Sequence, residues 1–220
     1  MPAHSFGRQR RTGAVLRRCQ ATACWGMLRR VSSDREARLD RMLIGGRETA
    51  VITVVDYDQG WPSRFQEVAG CVRRAQGASA LDVQHIGSTS VPGLAAKPII
   101  DMLLTVADVT DEAAYVPALV AAGLELRVRE AEHRMLRTPA RDAHLHVYEP
   151  GHAAVRDYLD LRDWLTVNEA DRGLYAVTKR RLAQQSWRDM NDYADAKSEV
   201  IGKVLVRARA WRVSTGSNER

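Results

Sequence analysis

Apolar and polar positions follow clear local periods from Val51 onward, and none before it is sustained. Val51-Ile52-Thr53-Val54-Val55 is β-branched almost throughout and predicts a strand, closed by Asp56-Tyr57-Asp58-Gln59-Gly60. Trp61, Phe65, Val68 and Val72 recur at spacings of four, three and four, the period of a helix with one apolar face, and Pro62 suits its first turn. A short strand ends at Ile86. Ile99 to Val106 is apolar almost throughout except for Asp101, which predicts a strand covered on both faces. Asp111-Glu112 opens a helix with Val116, Leu119 and Val120 on one side, and Gly123 is placed to stop it. Strands are predicted at about 124–129, 133–137 and 144–149. From Gly151 the pattern is helical, clearest in the stripe Ile201, Val204, Leu205, Ala208 and Trp211. The order predicts an α+β fold: a mixed β-sheet flanked by helices, followed by a helical C-terminal segment.

At 220 residues the chain suits one main domain. The net charge of +6 suggests a polyanion partner until its distribution is read. Residues 1–50 hold eleven arginines and four acids, a balance of +7, which leaves 22 basic against 23 acidic residues in the remainder. The basic excess therefore belongs to an N-terminal extension, set at residues 1–48, and not to the domain at 49–212, with its sheet core at about 51–150 and helical part at about 151–212. Residues 1–33 carry seven arginines and no acid, a composition expected of a flexible tail or an overextended start. A transit peptide or a weak contact with nucleic acid or anionic lipid is the alternative. No run approaches the roughly 20 apolar residues that span a bilayer. Cys19, Cys24 and Cys71 have no metal-ligand or redox spacing. A soluble protein of the reducing cytoplasm is expected, with neither a membrane nor a specific nucleic acid as partner.

Three groups carry candidate chemistry. In His85-Ile86-Gly87-Ser88, a glycine at a strand end lets a ligand approach the backbone, and a serine with the following amides can nest phosphate oxygens; a plain turn is the alternative. Asp101 lies in an apolar strand, so its carboxylate requires a metal, strong donors or a cation, for which Lys97 is the nearest candidate in sequence. His144 and His146 leave the same face of a strand, able to bind metal or phosphate or to relay a proton, unless they merely line an exposed edge. His85 joins them if its strand is a neighbour. Tyr175 with Lys179, and Tyr193 with Lys197, each set a ring beside an ammonium one helical turn away, suited to a base and a phosphate or simply to a solvated helix face. Gly-x-Gly-x-x-Gly and Gly-x4-Gly-Lys-Ser/Thr are both missing from the sequence, which removes the main signals of a Rossmann unit and a P-loop kinase.

The long motif from His85 to Asp101, with Lys97-Pro98-Ile99-Ile100-Asp101 at its end, and His144-Leu145-His146-Val147-Tyr148-Glu149-Pro150-Gly151 together resemble the GrpB-like family, a likeness extending over about residues 53–205. The resemblance implies a nucleotidyltransferase-like fold related to the DNA polymerase beta superfamily. There a Gly-Ser loop grips a triphosphate, and paired aspartates on the next strand hold two divalent metals. On this chain Gly87 and Ser88 match the loop and Asp101 matches one metal-binding aspartate. The positions two away, Ile99 and Leu103, lack the second carboxylate; Glu149 or Asp142 supplies a third one, or His144 and His146 replace it.

A nucleotidyltransferase moving a nucleoside monophosphate from a nucleoside triphosphate to a small molecule or protein is therefore expected, with Mg²⁺ or Mn²⁺ as cofactor. Asp101 and His146 hold metal, His144 completes the site or acts as base, and His85, Gly87, Ser88, Lys97, Lys179 and Lys197 bind the nucleotide. The alternatives are a catalytically inactive nucleotide- or coenzyme A-binding module, suggested by the family's fusion to dephospho-CoA kinases, and a scaffold for a partner enzyme. Without a P-loop the chain is not itself expected to phosphorylate dephospho-coenzyme A.

Overall fold

A computed structural model describes residues 34–49 and 51–216. The expected flexible tail at residues 1–33 lies outside the described residues. The chain divides into two units, residues 1–41 and 42–220. Residues 34–42 are helical (α1), and every later element belongs to the second unit.

That unit contains α2 (Trp61–Gln76), β1 (Asp82–Ile86), β2 (Ile100–Thr105), α3 (Val116–Ala121), β3 (Glu125–Arg129), β4 (Arg134–Arg137) and β5 (Ala143–Tyr148). Four helices follow: α4 (Ala153–Val167), α5 (Glu169–Ala183), α6 (Met190–Ala196) and α7 (Ser198–Ser214). The five strands form one mixed sheet in the order β1-β2-β5-β4-β3, in which only β2 and β5 run parallel. This is the expected α+β arrangement with a helical C-terminal segment.

Alternation along the strands gives each face of the sheet its own cover. Met102, Leu104, Leu145 and Val147 pack with Phe65 and Val72 of α2. On the other face Ile86, Leu103 and Tyr148 pack with Val155, Tyr158 and Leu159 of α4. β2 is buried on both sides, which explains its nearly continuous apolar run.

The segment between β1 and β2 is held to the helical part rather than left as a free loop. Val91 and Leu94 share a buried cluster with Leu165 of α4, Tyr175 of α5 and Val204 of α7. Arg162 of α4 also donates to Gln84 Oε1 at 2.8 Å and to the His85 carbonyl at 3.1 Å. Asp171 of α5 accepts from Arg207 at 2.6 and 2.7 Å and from Trp164 Nε1 at 2.6 Å, so one carboxylate ties α4, α5 and α7 together.

Two predicted elements differ. Residues 51–55 form no strand: only Val55 bridges Ala96, while Val51 is 93% exposed and Ile52 packs with Leu182 and Tyr193. A β-branched run becomes a strand only against a pairing partner, and here it has one bridge. The helix expected from Asp111 begins as a 3₁₀ turn at Glu112–Ala114, and α3 starts only at Val116, with Pro117 in its first turn. Leu119 is its buried residue, whereas Val120 is half exposed.

Candidate active site

The register of the sheet assembles the site. Asp101 of β2 pairs with His144 of β5, and Leu103 pairs with His146. Parallel partners face the same way, so the carboxylate and both imidazoles project from one face. Asp101 Oδ1 lies 3.4 Å from His144 Nδ1 and 4.0 Å from His146 Nε2, and all three donor atoms fall within 4.8 Å of one another.

Gly87 makes room for this cluster. Its φ of 70° and ψ of −169° fall in a region open essentially to glycine alone. The turn continues as a 3₁₀ helix, Ser88–Ser90, fastened by the Ser90 hydroxyl donating to the Gly87 carbonyl at 2.6 Å. Val91 and Leu94, just beyond it, pack on Tyr175 and so join the turn to α5.

Three lysines lie within electrostatic range of Asp101. Lys97 precedes β2, Lys179 lies one turn beyond Tyr175 in α5, and Lys197 follows α6. Lys179 is 2% exposed, its Nζ sits 4.4 Å from the centre of the Tyr175 ring, and among the described residues it has no hydrogen-bond partner. Lys197 Nζ and Lys97 Nζ stand 4.7 and 5.5 Å from the Tyr193 ring centre, and Lys97 also contacts Met190 Sδ at 3.8 Å. Among the described residues no ion pair joins Lys97 to Asp101, so the simplest structural account of that acid is not the one the fold adopts.

Burial and neighbouring charge shift several of these groups. Burial and the charge of Lys197 pull Lys179 down to about 7, against a partial opposing effect of Asp101. The same causes bring Lys97 to about 8. Burial pulls the Asp101 carboxyl up, but the hydrogen bond from His144 and the surrounding positive charge outweigh it and hold the group below the usual carboxylate range. Burial drives His146 down to about 3 and also lowers His133, so both rings are neutral at pH 7.

Not every expected residue arrives. His85 pairs with Met102 while its neighbour Ile86 pairs with Asp101, so the His85 ring projects from the opposite face. There it stacks on Phe65 with centroids 4.6 Å apart and contacts Thr89 Oγ1 at 3.1 Å. Thr89 in turn donates to the Ile99 carbonyl, giving His85 a place in bracing the turn instead of in the histidine cluster. Neither carboxylate considered as a further metal ligand joins Asp101: Glu149 caps the Val109 amide, and Asp142 binds Arg64 and Thr138.

One pair went unread in the sequence. His133, just before β4, contacts His146 Nδ1 through its Nε2 at 3.1 Å and Glu130 through its Nδ1 at 3.0 Å. Its signal was the alternation His133, Met135, Arg137, which shares a face with His146 once β4 is placed beside β5.

The family model for the GrpB protein matches residues 51–207, and the chain belongs to this family. It is 54% identical over 170 residues to a UPF0157 protein of Streptomyces coelicolor, covering 77% of this chain and 91% of that one. The crystal structure of the conserved protein GrpB from Enterococcus faecalis superposes with a TM-score of 0.65 at 31% identity, over 72% of this chain and 99% of the other. A dephospho-CoA kinase of Mycolicibacterium paratuberculosis is 28% identical over 196 residues, 76% of this chain but only 48% of the kinase. A Gly-Ser turn leaves β1, and an acid, Asp101, stands on β2, the strand paired with it. Among the described residues no helix is long and apolar enough to cross a membrane.

Proposed function

We propose that the protein is a metal-dependent nucleotidyltransferase that moves a nucleoside monophosphate from a nucleoside triphosphate to a hydroxyl-bearing acceptor in the cytoplasm. The observation that carries this reading is Lys179, a buried ammonium without a hydrogen-bond partner among the described residues, within electrostatic range of Asp101 and Lys197. A buried cation in that state is costly, and a polyphosphate chain would relieve the cost.

The donor set suits a divalent ion: one carboxylate and two imidazoles within 4.8 Å. Asp101 and His146 would hold it and His144 would complete the set. A bound ion would supply Lewis-acid polarisation of the phosphate and favour the ionised acceptor hydroxyl. The chain's own groups do the rest. The Gly87-Ser88 turn holds phosphate oxygens, and Lys97, Lys179 and Lys197 neutralise the outer phosphates. A bond forms between the acceptor oxygen and the α-phosphorus, the bond to the bridging oxygen breaks, pyrophosphate leaves, and the hydroxyl proton passes to solvent.

The missing second carboxylate favours one other reading, an inactive module that binds a nucleotide or coenzyme A. Ile99 and Leu103 occupy the positions where a partner acid would stand. The two are separated by incubating the chain and its Asp101→Ala variant with Mg²⁺ or Mn²⁺ and each of four labelled nucleoside triphosphates. Transfer predicts pyrophosphate release that Asp101→Ala abolishes. Nucleotide binding without turnover, indifferent to metal, supports the module. If neither nucleotides nor coenzyme A raise the melting temperature, a scaffold role gains.

A further inference from the structure

The two-metal clamp implied by the fold does not fit a centre with a single carboxylate. We infer that the centre takes one borderline transition-metal ion, of the Co²⁺ or Zn²⁺ kind, in preference to Mg²⁺, and that Glu130 and His133 position His146 for it. The inference shares the metal site with the function proposed above but does not depend on nucleotidyl transfer.

Donor chemistry gives the first half. Mg²⁺ prefers hard oxygen ligands and keeps its waters, whereas imidazole nitrogen suits borderline ions such as Co²⁺ and Zn²⁺. Here two of the three protein donors are imidazole nitrogens, and the strand that would bring a second acid has Ile99 and Leu103 instead. Glu149 and Asp142 are engaged elsewhere.

Hydrogen-bond polarity gives the second half. The Glu130 carboxylate only accepts, so the proton between it and His133 sits on His133 Nδ1. A neutral His133 then offers a lone pair at Nε2, and His146 Nδ1 must carry the proton of the 3.1 Å bond between the rings. The near-parallel planes, 11° apart with centroids at 5.3 Å, are consistent with that edge-to-edge contact. The bare lone pair of His146 is thus left at Nε2, 4.0 Å from Asp101 Oδ1. A lone pair aimed at a carboxylate repels it, and a cation between them turns the repulsion into ligation. Carboxylate–histidine chains behind a metal-binding imidazole fix its tautomer in this way. Tyr148, stacked on His133 with centroids 4.6 Å apart, keeps the relaying ring in plane.

The test uses the untagged, metal-free full chain titrated with Co²⁺, followed by its visible absorption and by calorimetry, with Mg²⁺ and Zn²⁺ as competitors. One Co²⁺ per chain is expected, lost in Asp101→Ala and His146→Ala, displaced by Zn²⁺ and not by a tenfold excess of Mg²⁺. His133→Phe keeps the stack on Tyr148 but removes the acceptor, and about a 10- to 100-fold loss of Co²⁺ affinity is expected. His133→Gln, whose amide oxygen can accept from His146, should recover part of it, and Glu130→Gln should fall between. The melting temperature of each metal-free variant separates lost positioning from lost folding. Two bound ions, displacement by equimolar Mg²⁺, or Co²⁺ binding unaffected by Asp101→Ala would overturn the site. Wild-type affinity in both His133→Phe and Glu130→Gln would overturn their positioning role. Absence of nucleotidyl transfer alongside intact Co²⁺ binding would count against the enzymatic reading alone.

Discussion

A β-carbon placed on Gly87 would lie 2.5 Å from Asp101 Oδ2 and 2.9 Å from Asp101 Cβ, closer than real β-carbons approach. The turn and the acid are therefore one unit: the absent side chain at 87 is the space the carboxylate occupies. Gly87→Ala combines this clash with a backbone conformation costing about 1–3 kcal/mol. A fall of several degrees in melting temperature is expected, with loss of nucleotide and metal binding. Gly173→Ala, in the middle of α5 with open space around its β-carbon, is the control and should stabilise by about 0.5–1 kcal/mol.

Lys179 gives the free protein a specific pH dependence. The fold penalises its ammonium form, so between the folded value of about 7 and the ordinary 10.5 the unfolded chain binds more protons. Stability from this group therefore rises as pH increases through that window. Lys179→Met should stabilise the ligand-free protein by an amount on the order of a few kcal/mol below pH 7, with the advantage shrinking as pH approaches 10.5. Melting curves of the two proteins from pH 6 to 10 check this, and the same variant should bind ATP more weakly.

A phosphate chain among these lysines should also recruit protons. Lys97 at about 8 and Lys179 at about 7 are partly neutral at pH 8, and an anion beside them favours their charged forms. Calorimetric titration with ATP at pH 8 in buffers of different ionisation enthalpy should show net proton uptake. Lys179→Met should reduce it.

The helical segment is positioned by Asp171. Its hydrogen bonds from Arg207, opposed by burial and reinforced by Trp164, hold the carboxyl below the usual range, so its contribution is present above the ordinary carboxylate pKa and fades as pH falls through the lower folded value. Arg207 is nearly half exposed, which discounts the pair. Asp171→Asn should cost about 1–3 kcal/mol, read by urea unfolding, and weaken nucleotide binding through the displaced α5.

Local pattern revealed much of this architecture and little of its adjacency. The lone acid in an apolar strand, the shared face of His144 and His146, and the Tyr175–Lys179 spacing were all legible, because alternation and helical period are properties of short segments. That β2 and β5 run side by side was not, since nothing local encodes a parallel pairing across some forty residues. The burial of Lys179 depends on the same long-range packing. His85 was read toward the site because of its place beside Gly87, although Val83 and His85 alternate onto the α2 face with the core. The run at 51–55 had strand propensity without a strand beside it.

The most direct measurement is a crystal structure with a non-hydrolysable nucleoside triphosphate and Mn²⁺, using anomalous scattering to locate the ion. The account predicts one manganese peak against Asp101, His144 and His146, with the phosphates reaching Ser88, Lys97, Lys179 and Lys197. Nucleotide bound elsewhere, or phosphates that leave the Lys179 ammonium uncontacted, would contradict it.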